Sequence, residues 1–409
     1  MDYLSIIDKK RLGKELSKSE ITFFFTGYME NKIEDYQVSS MLMAICINGM
    51  TFEETLALTD VMLSSGRKLD TSKISGIMVD KHSTGGVGDK TSLIIGPIMS
   101  ALGCKMGKLS GRGLGITGGT IDKLESIPGF RVALSIEEFI DNVNKIGFAE
   151  CEQTPEFTPL DKKLYELRSV SGTVSSIPLI ASSIMSKKLA VGAEYILIDL
   201  KVGEGALIDN KNDAVELAGT MIEIGKSYNK TVIPILTNMS RPLGDSIGNA
   251  LEVIEAMDIL KGKTGILRDL CIELASNLYS RCKKINLDNA KKEVIRVLDS
   301  GKAYDKFIEF TKAQGGNIEA IETAPFMIPV KSDKDGTLKD ISAAKIGTLA
   351  TNLGGGRKKK GERINYGVGI VINKHIGDRI NKQDILAYLY QNDETDHSAE
   401  ALEAFSIVK

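Results

Sequence analysis

The hydrophobic positions of this chain fall into three successive patterns. Over residues 1–66 apolar side chains recur at helical spacing, most densely in "EDYQVSSMLMAICINGM" and "TLALTDVMLSSG". Ser17 with Glu20, and Thr51 with Glu54, have capping-box spacing, and Gly66 supplies a stop. From about residue 74 the apolar runs shorten. "ISGIMVD" and "CKMGKLS" read as strands, each followed by a glycine-rich turn, with "TSLIIGPIMSALG" as a helix between them. "AEYILIDLKVG" and "KTVIPILTNM" read as buried strands on either side of the helical "NDAVELAGTMIEIGKSYN". "DKKLYELRSV" and "VSSIPLIASSIMSKKLA", within 161–190, return to helical spacing, and after about residue 325 short strands and turns dominate.

These patterns predict an α/β fold class in three parts. A small all-α domain takes residues 1–66 and 161–190. A larger α/β domain with a central sheet takes 74–150 and 191–325. A C-terminal β-rich (α+β) domain takes 326–409. The 161–190 segment is expected to pack on the N-terminal helices, leaving a cleft between the two units. "SSGRKLDTSKISG" and "CEQTPEFTP" would connect them as hinges.

Composition narrows the function classes. With 52 basic and 54 acidic residues the formal charge is -2, which gives no support for a nucleic-acid partner. Residues 1–20 lack the apolar core of a signal peptide, and no run reaches the roughly 18 apolar residues of a membrane span. Cysteines at 46, 104, 151, 271 and 282 form no CxxC pair. Scattered thiols point to a reducing cytoplasm. With only His82, His375 and His397 available, a His/Cys metal cluster is not expected.

Eleven of the 40 glycines lie between residues 85 and 119, where even spreading would give about three. Two loops hold eight of them, "DKHSTGGVGDKTS" and "SGRGLGITGGT". The first is not a nucleoside-triphosphate P-loop: aligned on Lys90 and Thr91, the required glycines are replaced by Thr84 and Asp89. A more general anion site survives, because free N–H groups at a glycine turn and helix start attract negative charge. Lys81, Ser83 and Ser92 flank the first loop; Ser110 and Thr120 bracket the second, with Thr120 placed to cap "IDKLE". Either loop alone reads equally well as a tight turn with capping hydroxyls. A second set lies in 161–190. Ser183 and Lys187 are spaced i, i+4, Ile180 precedes Ser183 by three, and Tyr165 and Arg168 are spaced i, i+3. "RKKKGER" reads as a solvated loop and Lys334 as part of a β-turn.

"SGRGLGITGGTIDKLE" resembles the signature of the thymidine and pyrimidine-nucleoside phosphorylases. "DKHSTGGVGDK", "DKKLYELR", "SIPLIASSIMSKKLA" and "PLGDSIGNALEV" are similar to further blocks of that family, in its order. The resemblance implies a homodimer that carries out reversible phosphorolysis, turning pyrimidine nucleoside and phosphate into base and (deoxy)ribose 1-phosphate. It implies phosphate binding by Lys81, Ser83, Ser92, Lys108, Ser110 and Thr120. Arg168, Ser183 and Lys187 would hold the base, with Tyr165 and Ile180 lining its pocket. His82 would face the base carbonyl beside the glycosidic bond, so that His82, Arg168 and Lys187 form the catalytic set. No organic cofactor is implied, but a potassium ion near Gly88, Leu243, Ser246 and Glu255 is.

The chain departs from the family pattern at several points. Ile116 stands for a usual histidine, and Ser169 for an acid, which should leave Arg168 less firmly oriented. Lys90 and Ser246 alter the cation neighbourhood, and Glu204 adds a charge to its turn. Lys108 matches the broader pyrimidine-nucleoside branch. Two other readings compete: a fold-related phosphoribosyltransferase of the anthranilate type, and a non-catalytic nucleoside or phosphate binder.

Overall fold

A computed structural model describes residues 1–113, 116, 118–152, 156–357 and 362–409. The N-terminal helices are α1 (Tyr3–Arg11), α2 (Lys18–Met29), α3 (Asp35–Asn48) and α4 (Phe52–Ser64). Ser17 and Thr51 accept the Glu20 and Glu54 N–H groups, each at 3.3 Å, completing both predicted capping boxes. Glu54 also accepts from Lys10 Nζ at 2.9 Å and from the Leu16 N–H at 2.8 Å. One buried acid thus caps α4 and pins α1 to it. Gly66 lies beyond the end of α4, where a Cβ would come within 2.6 Å of Glu156 O.

Next come β1 (Met78–Ser83), α5 (Thr91–Ala101), β2 (Lys105–Ser110), α6 (Thr120–Glu125), α7 (Ile136–Ile146) and β3 (Phe148–Glu152). The helices α8 (Pro159–Ser171) and α9 (Ile177–Val191) follow, then β4 (Tyr195–Val202), α10 (Lys211–Ser227), β5 (Thr231–Asn238) and β6 (Ser246–Ile247). The helices α11 (Asn249–Leu260), α12 (Ile266–Lys283), α13 (Leu287–Asp299) and α14 (Lys302–Ala313) complete the middle of the chain.

Five strands form one parallel sheet in the order β3-β2-β1-β4-β5. Alternation along β4 sends Leu197 into a core shared with α5, α11, α12 and α14. Its neighbours Ile196 and Ile198 enter a second core on the opposite face, with α7, α9 and α10. The strand β5, expected to be buried, is instead a partly exposed edge strand; this is where Pro234 can sit without breaking a central ladder.

The 161–190 segment divides its packing. Leu160 and Leu164 of α8 join Phe24, Leu42 and Leu58 in the helical core. On α9, Leu179 joins that core, while Ile180, Ile184 and Leu189 pack against the sheet. So α9 belongs to both units and fixes one against the other.

The remaining strands are β7 (Phe326–Lys331), β8 (Gly336–Ile341), β9 (Gly369–Ile372), β10 (Arg379–Ile380), β11 (Ile385–Gln391) and β12 (Phe405–Val408), with α15 (Ala343–Ala350) and α16 (Ser398–Leu402). They form antiparallel sheets ordered β10-β8-β12 and β6-β9-β11-β7. The second borrows β6 from the preceding part of the chain. Lys334 lies on an exposed turn between β7 and β8. No helix among the described residues is long and apolar enough to cross a membrane.

Candidate active site

Parallel neighbours deliver the loops that follow them to the same edge of a sheet. Here β1 and β2 are neighbours, so the two glycine-rich loops emerge side by side. A cavity of about 190 Å³ opens there. His82, Ser83, Ser92, Lys108, Ser110 and Thr120 line it on the sheet side; Tyr165, Arg168, Ile180, Ser183 and Lys187 line it on the helical side. The expected juxtaposition of loops and helix face is therefore present.

Lys81 is the exception. It is fully buried and does not line the cavity. Its Nζ donates to Thr91 Oγ1 at 2.5 Å and lies 3.5 Å from Asp199. The expected strand end was Asp80, but β1 continues to Ser83. Lys81 and His82 are then consecutive strand residues and point to opposite faces. His82 reaches the cavity; Lys81 goes beneath the first loop.

The loop wall is crowded with paired charge. Ser83 donates its hydroxyl to Asp89, which also accepts from the Thr91 N–H at 3.2 Å and Thr91 Oγ1 at 2.6 Å. The anion at the start of α5 is thus the chain's own Asp89. Burial opposes its ionisation, but Lys81, Lys201 and the two hydroxyls hold its pKa well below the usual carboxylate range. Ser110 is held similarly, accepting from Lys108 and donating to the buried Glu150 at 2.5 Å. Lys123 ties the two loops together, donating to Asp89 O at 2.9 Å and Gly118 O at 3.2 Å beside Glu252. Thr120 is the first residue of α6 rather than its cap; Gly119 takes the cap position. Asp89, Lys123 and Glu150 were not among the expected site residues: Lys123 and Glu150 find partners on other strands and loops, whereas Asp89 is held by Ser83 and Thr91 within six residues of it.

The helix wall is simpler. Lys187 Nζ donates to Ser183 Oγ at 2.9 Å, as their i, i+4 spacing allows, and to Asp161 Oδ2 at 2.6 Å. Burial holds its pKa below the ordinary 10.5, and Asp161 opposes that shift. Asp161 was missed, although it lies four and seven residues before Tyr165 and Arg168 on the same face of α8. Arg168 donates to the carbonyls of Thr173, Leu179 and Val174 at 3.2, 3.1 and 2.7 Å. Those bonds use three of its five N–H groups and leave two for a ligand. The expected looseness of Arg168 is therefore not found: carbonyls of the α8–α9 turn and of Leu179 within α9 do the orienting, and Ser169 donates to Glu166 O instead.

His82 stands between the two walls. Burial, together with the positive charges of Lys188, Lys108, Lys187 and Lys81, pushes its pKa well below the ordinary 6.5. The imidazole is neutral at neutral pH, with one N–H to donate.

The departures at 116 and 204 both face the C-terminal part. Ile116 packs against its apolar core, which includes Val87 and Ile346, and does not line the cavity. Glu204 accepts from Ser342 Oγ at 2.6 Å. Arg357, expected on a solvated loop, donates to Asp122 Oδ1 at 2.8 Å, and Asp122 in turn accepts the Gly113 N–H at 2.6 Å. Lys358, Lys359, Lys360 and Gly361 of that loop, and Gln153, Thr154 and Pro155 of the second hinge, lie outside the described residues.

Leu243, Ser246 and Glu255 do converge, with Gly88 packed against Leu243 O. What they surround is Lys90 Nζ, which donates to Leu243 O at 2.8 Å, Ser246 O at 2.8 Å and Glu255 Oε2 at 2.6 Å. With an ammonium at the centre, this oxygen set does not fit a potassium ion.

Comparison with known proteins accords with this architecture. Residues 4–66 match the helical bundle domain of the glycosyl transferase family, and residues 75–304 match its α/β domain. Residues 337–407 match the pyrimidine nucleoside phosphorylase C-terminal domain. The chain is 46% identical over 402 residues to the pyrimidine-nucleoside phosphorylases of Geobacillus stearothermophilus and Bacillus subtilis, covering 96% of this chain and 93% of each relative. Anthranilate phosphoribosyltransferase from Thermus thermophilus shares the fold, with a TM-score of 0.61 and 18% identity over 76% of this chain and 99% of that one. The chain belongs to the pyrimidine-nucleoside phosphorylase family, within the wider glycosyl transferase family.

Proposed function

We propose that this enzyme catalyses reversible phosphorolysis of pyrimidine nucleosides such as uridine, thymidine and deoxyuridine. The observation that carries the reading is the single cavity lined both by the two glycine loops and by the Arg168/Ser183/Lys187 face. A phosphate oxygen attacks the anomeric carbon, the glycosidic C–N bond breaks, and the base leaves with the bonding electron pair before taking up a proton. The enzyme's task is to position the reactants and stabilise charge on the base. Arg168 and Lys187 direct N–H donors at the base oxygens, and Ser183 meets the ring N–H edge. His82, neutral, donates its N–H to the base carbonyl beside the breaking bond. Lys108, Ser92 and Thr120 take the phosphate. Ser83 and Ser110 join them only by rotating away from Asp89 and Glu150, since a hydroxyl has one O–H to give.

The reading extends to a homodimer in the cytoplasm. Tyr36, Met43 and Ile47 on α3 and Val170 on α8 are exposed apolar side chains that a second copy would cover; a monomer in equilibrium sedimentation would remove this part. The five cysteines are free thiols, in keeping with a reducing compartment.

The test is incubation of the pure protein with uridine, thymidine or deoxyuridine, with and without phosphate, following free base. Base and sugar 1-phosphate should appear only with phosphate. No base under any phosphate condition would reject the activity, and magnesium-dependent binding of a pyrophosphorylated ribose would favour the phosphoribosyltransferase reading. The match to the phosphorylase C-terminal domain counts against that alternative.

A further inference from the structure

We infer that Lys90 is a built-in monovalent cation: its ammonium does the structural work that the family resemblance gives to potassium, so this enzyme does not need the metal. Three observations converge. First, the ammonium has three N–H donors and finds three oxygens, the carbonyls of Leu243 and Ser246 and the carboxylate of Glu255, between 2.6 and 2.8 Å away. Its donor capacity is filled. Second, Lys90 is wholly buried and Glu255 nearly so, and they are paired at 2.6 Å. Among these residues one positive charge balances one negative charge. A potassium ion beside them would add a second positive charge without a counter-charge, in a place where burial makes that costly. Third, the oxygens are fixed by other bonds. Glu255 accepts the Asp245 N–H at 2.8 Å and the Ser246 N–H at 2.9 Å, and Gly88 packs so closely that a Cβ there would come within 2.6 Å of Leu243 O. The cradle has no slack to admit both cations.

The placement gives the ammonium a positioning role. Lys90 lies between Asp89, which holds the cavity-lining Ser83, and Thr91, which holds Lys81. Its side chain ties this loop to residues 243–246, which lead into β6 and the C-terminal sheet. A metal ion can join those segments only while bound. A lysine joins them covalently on one side, at any cation concentration.

The experiment compares wild type with Lys90→Thr and Lys90→Ala, each in potassium, sodium or choline chloride at equal ionic strength. Thermal unfolding and phosphorolysis are read separately, so the unfolding arm stands even if the proposed activity fails. Wild-type Tm and rate should be the same in all three salts. The variants should lose Tm and rate in choline and recover both, by several degrees and several-fold, as potassium is added. That recovery is the readout a merely structural lysine would not give. Selective stabilisation or activation of wild type by potassium would overturn the inference, as would a folded variant indifferent to potassium. Should neither variant be soluble, the wild-type arm decides alone.

Discussion

On the helix wall of the cavity, Ser183 and Lys187 meet because they are four residues apart on α9, and their hydrogen bond of 2.9 Å is a local consequence of helix geometry. On the loop wall, no such rule holds. Lys81 and Lys90 sit among the same glycines and hydroxyls, yet neither lines the cavity, whereas Lys108 from the next strand does. Lys81 turns toward Asp199 and Lys90 toward Glu255, acids more than 100 residues away. The lesson is that a lysine beside a glycine turn is not yet an anion ligand. What separates the three is reach: Lys108 is also paired with a buried acid, Glu150, at 3.2 Å, yet its side chain lines the cavity, whereas the partners of Lys81 and Lys90 draw them away from it.

The sharpest way to test this contrast is Lys187→Ala. Loss of one donor to the leaving base should lower kcat/KM by about 10²–10³-fold, or roughly 2.7–4 kcal/mol in the barrier. Asp161 is nearly buried, so stability should fall as well. Adding Asp161→Asn should return stability without returning rate. If the double variant regains activity, Lys187 acts on the fold and not on the substrate.

Lys81→Met probes the other wall. It should cost about 3 kcal/mol of stability in denaturant unfolding, because Asp199 loses one of its two buried cations, Lys201 remaining at 2.8 Å. The KM for phosphate should change less than for a substitution at Lys108. An unchanged unfolding midpoint with a selectively raised phosphate KM would place Lys81 on the substrate after all.

The smallest effect is on pH dependence. Burial lowers the Lys187 pKa and Asp161 raises it again. The charged form is the active one, so kcat/KM should fall with rising pH, beginning below the ordinary lysine value of 10.5. Asp161→Asn removes the group that favours the charged form and should shift this alkaline limb to lower pH. A limb that stays in place would remove Lys187 from the rate-determining interactions.

Much of this was legible along the chain. The capping boxes at Ser17 and Thr51, the strand before each glycine loop, and the shared face of Ser183 and Lys187 all depend on residues within one or two helical turns. Asp161 could have been found the same way, by extending the Tyr165–Arg168 face back one turn of α8. Glu150 could not: it reaches Ser110 only because β3 lies beside β2 in the sheet. The supposed weakness of Arg168 was misjudged for a similar reason. Ser169 cannot orient it, but carbonyls of the turn after α8 can, and a backbone oxygen has no signature in side-chain pattern.

Sequence by itself determined the elements, the two glycine loops and the shared helix face of Ser183 and Lys187, because propensity, capping and periodicity act over a few residues. Only the tertiary structure decided which lysine lines the cavity, which is a strut beneath the loop, and which sits as a cation among carbonyls. Those outcomes turn on strand order and on the convergence of segments some 150 residues apart. A buried charge accepts whichever partner the fold brings within about 3 Å, and the chain does not write that partner next to it.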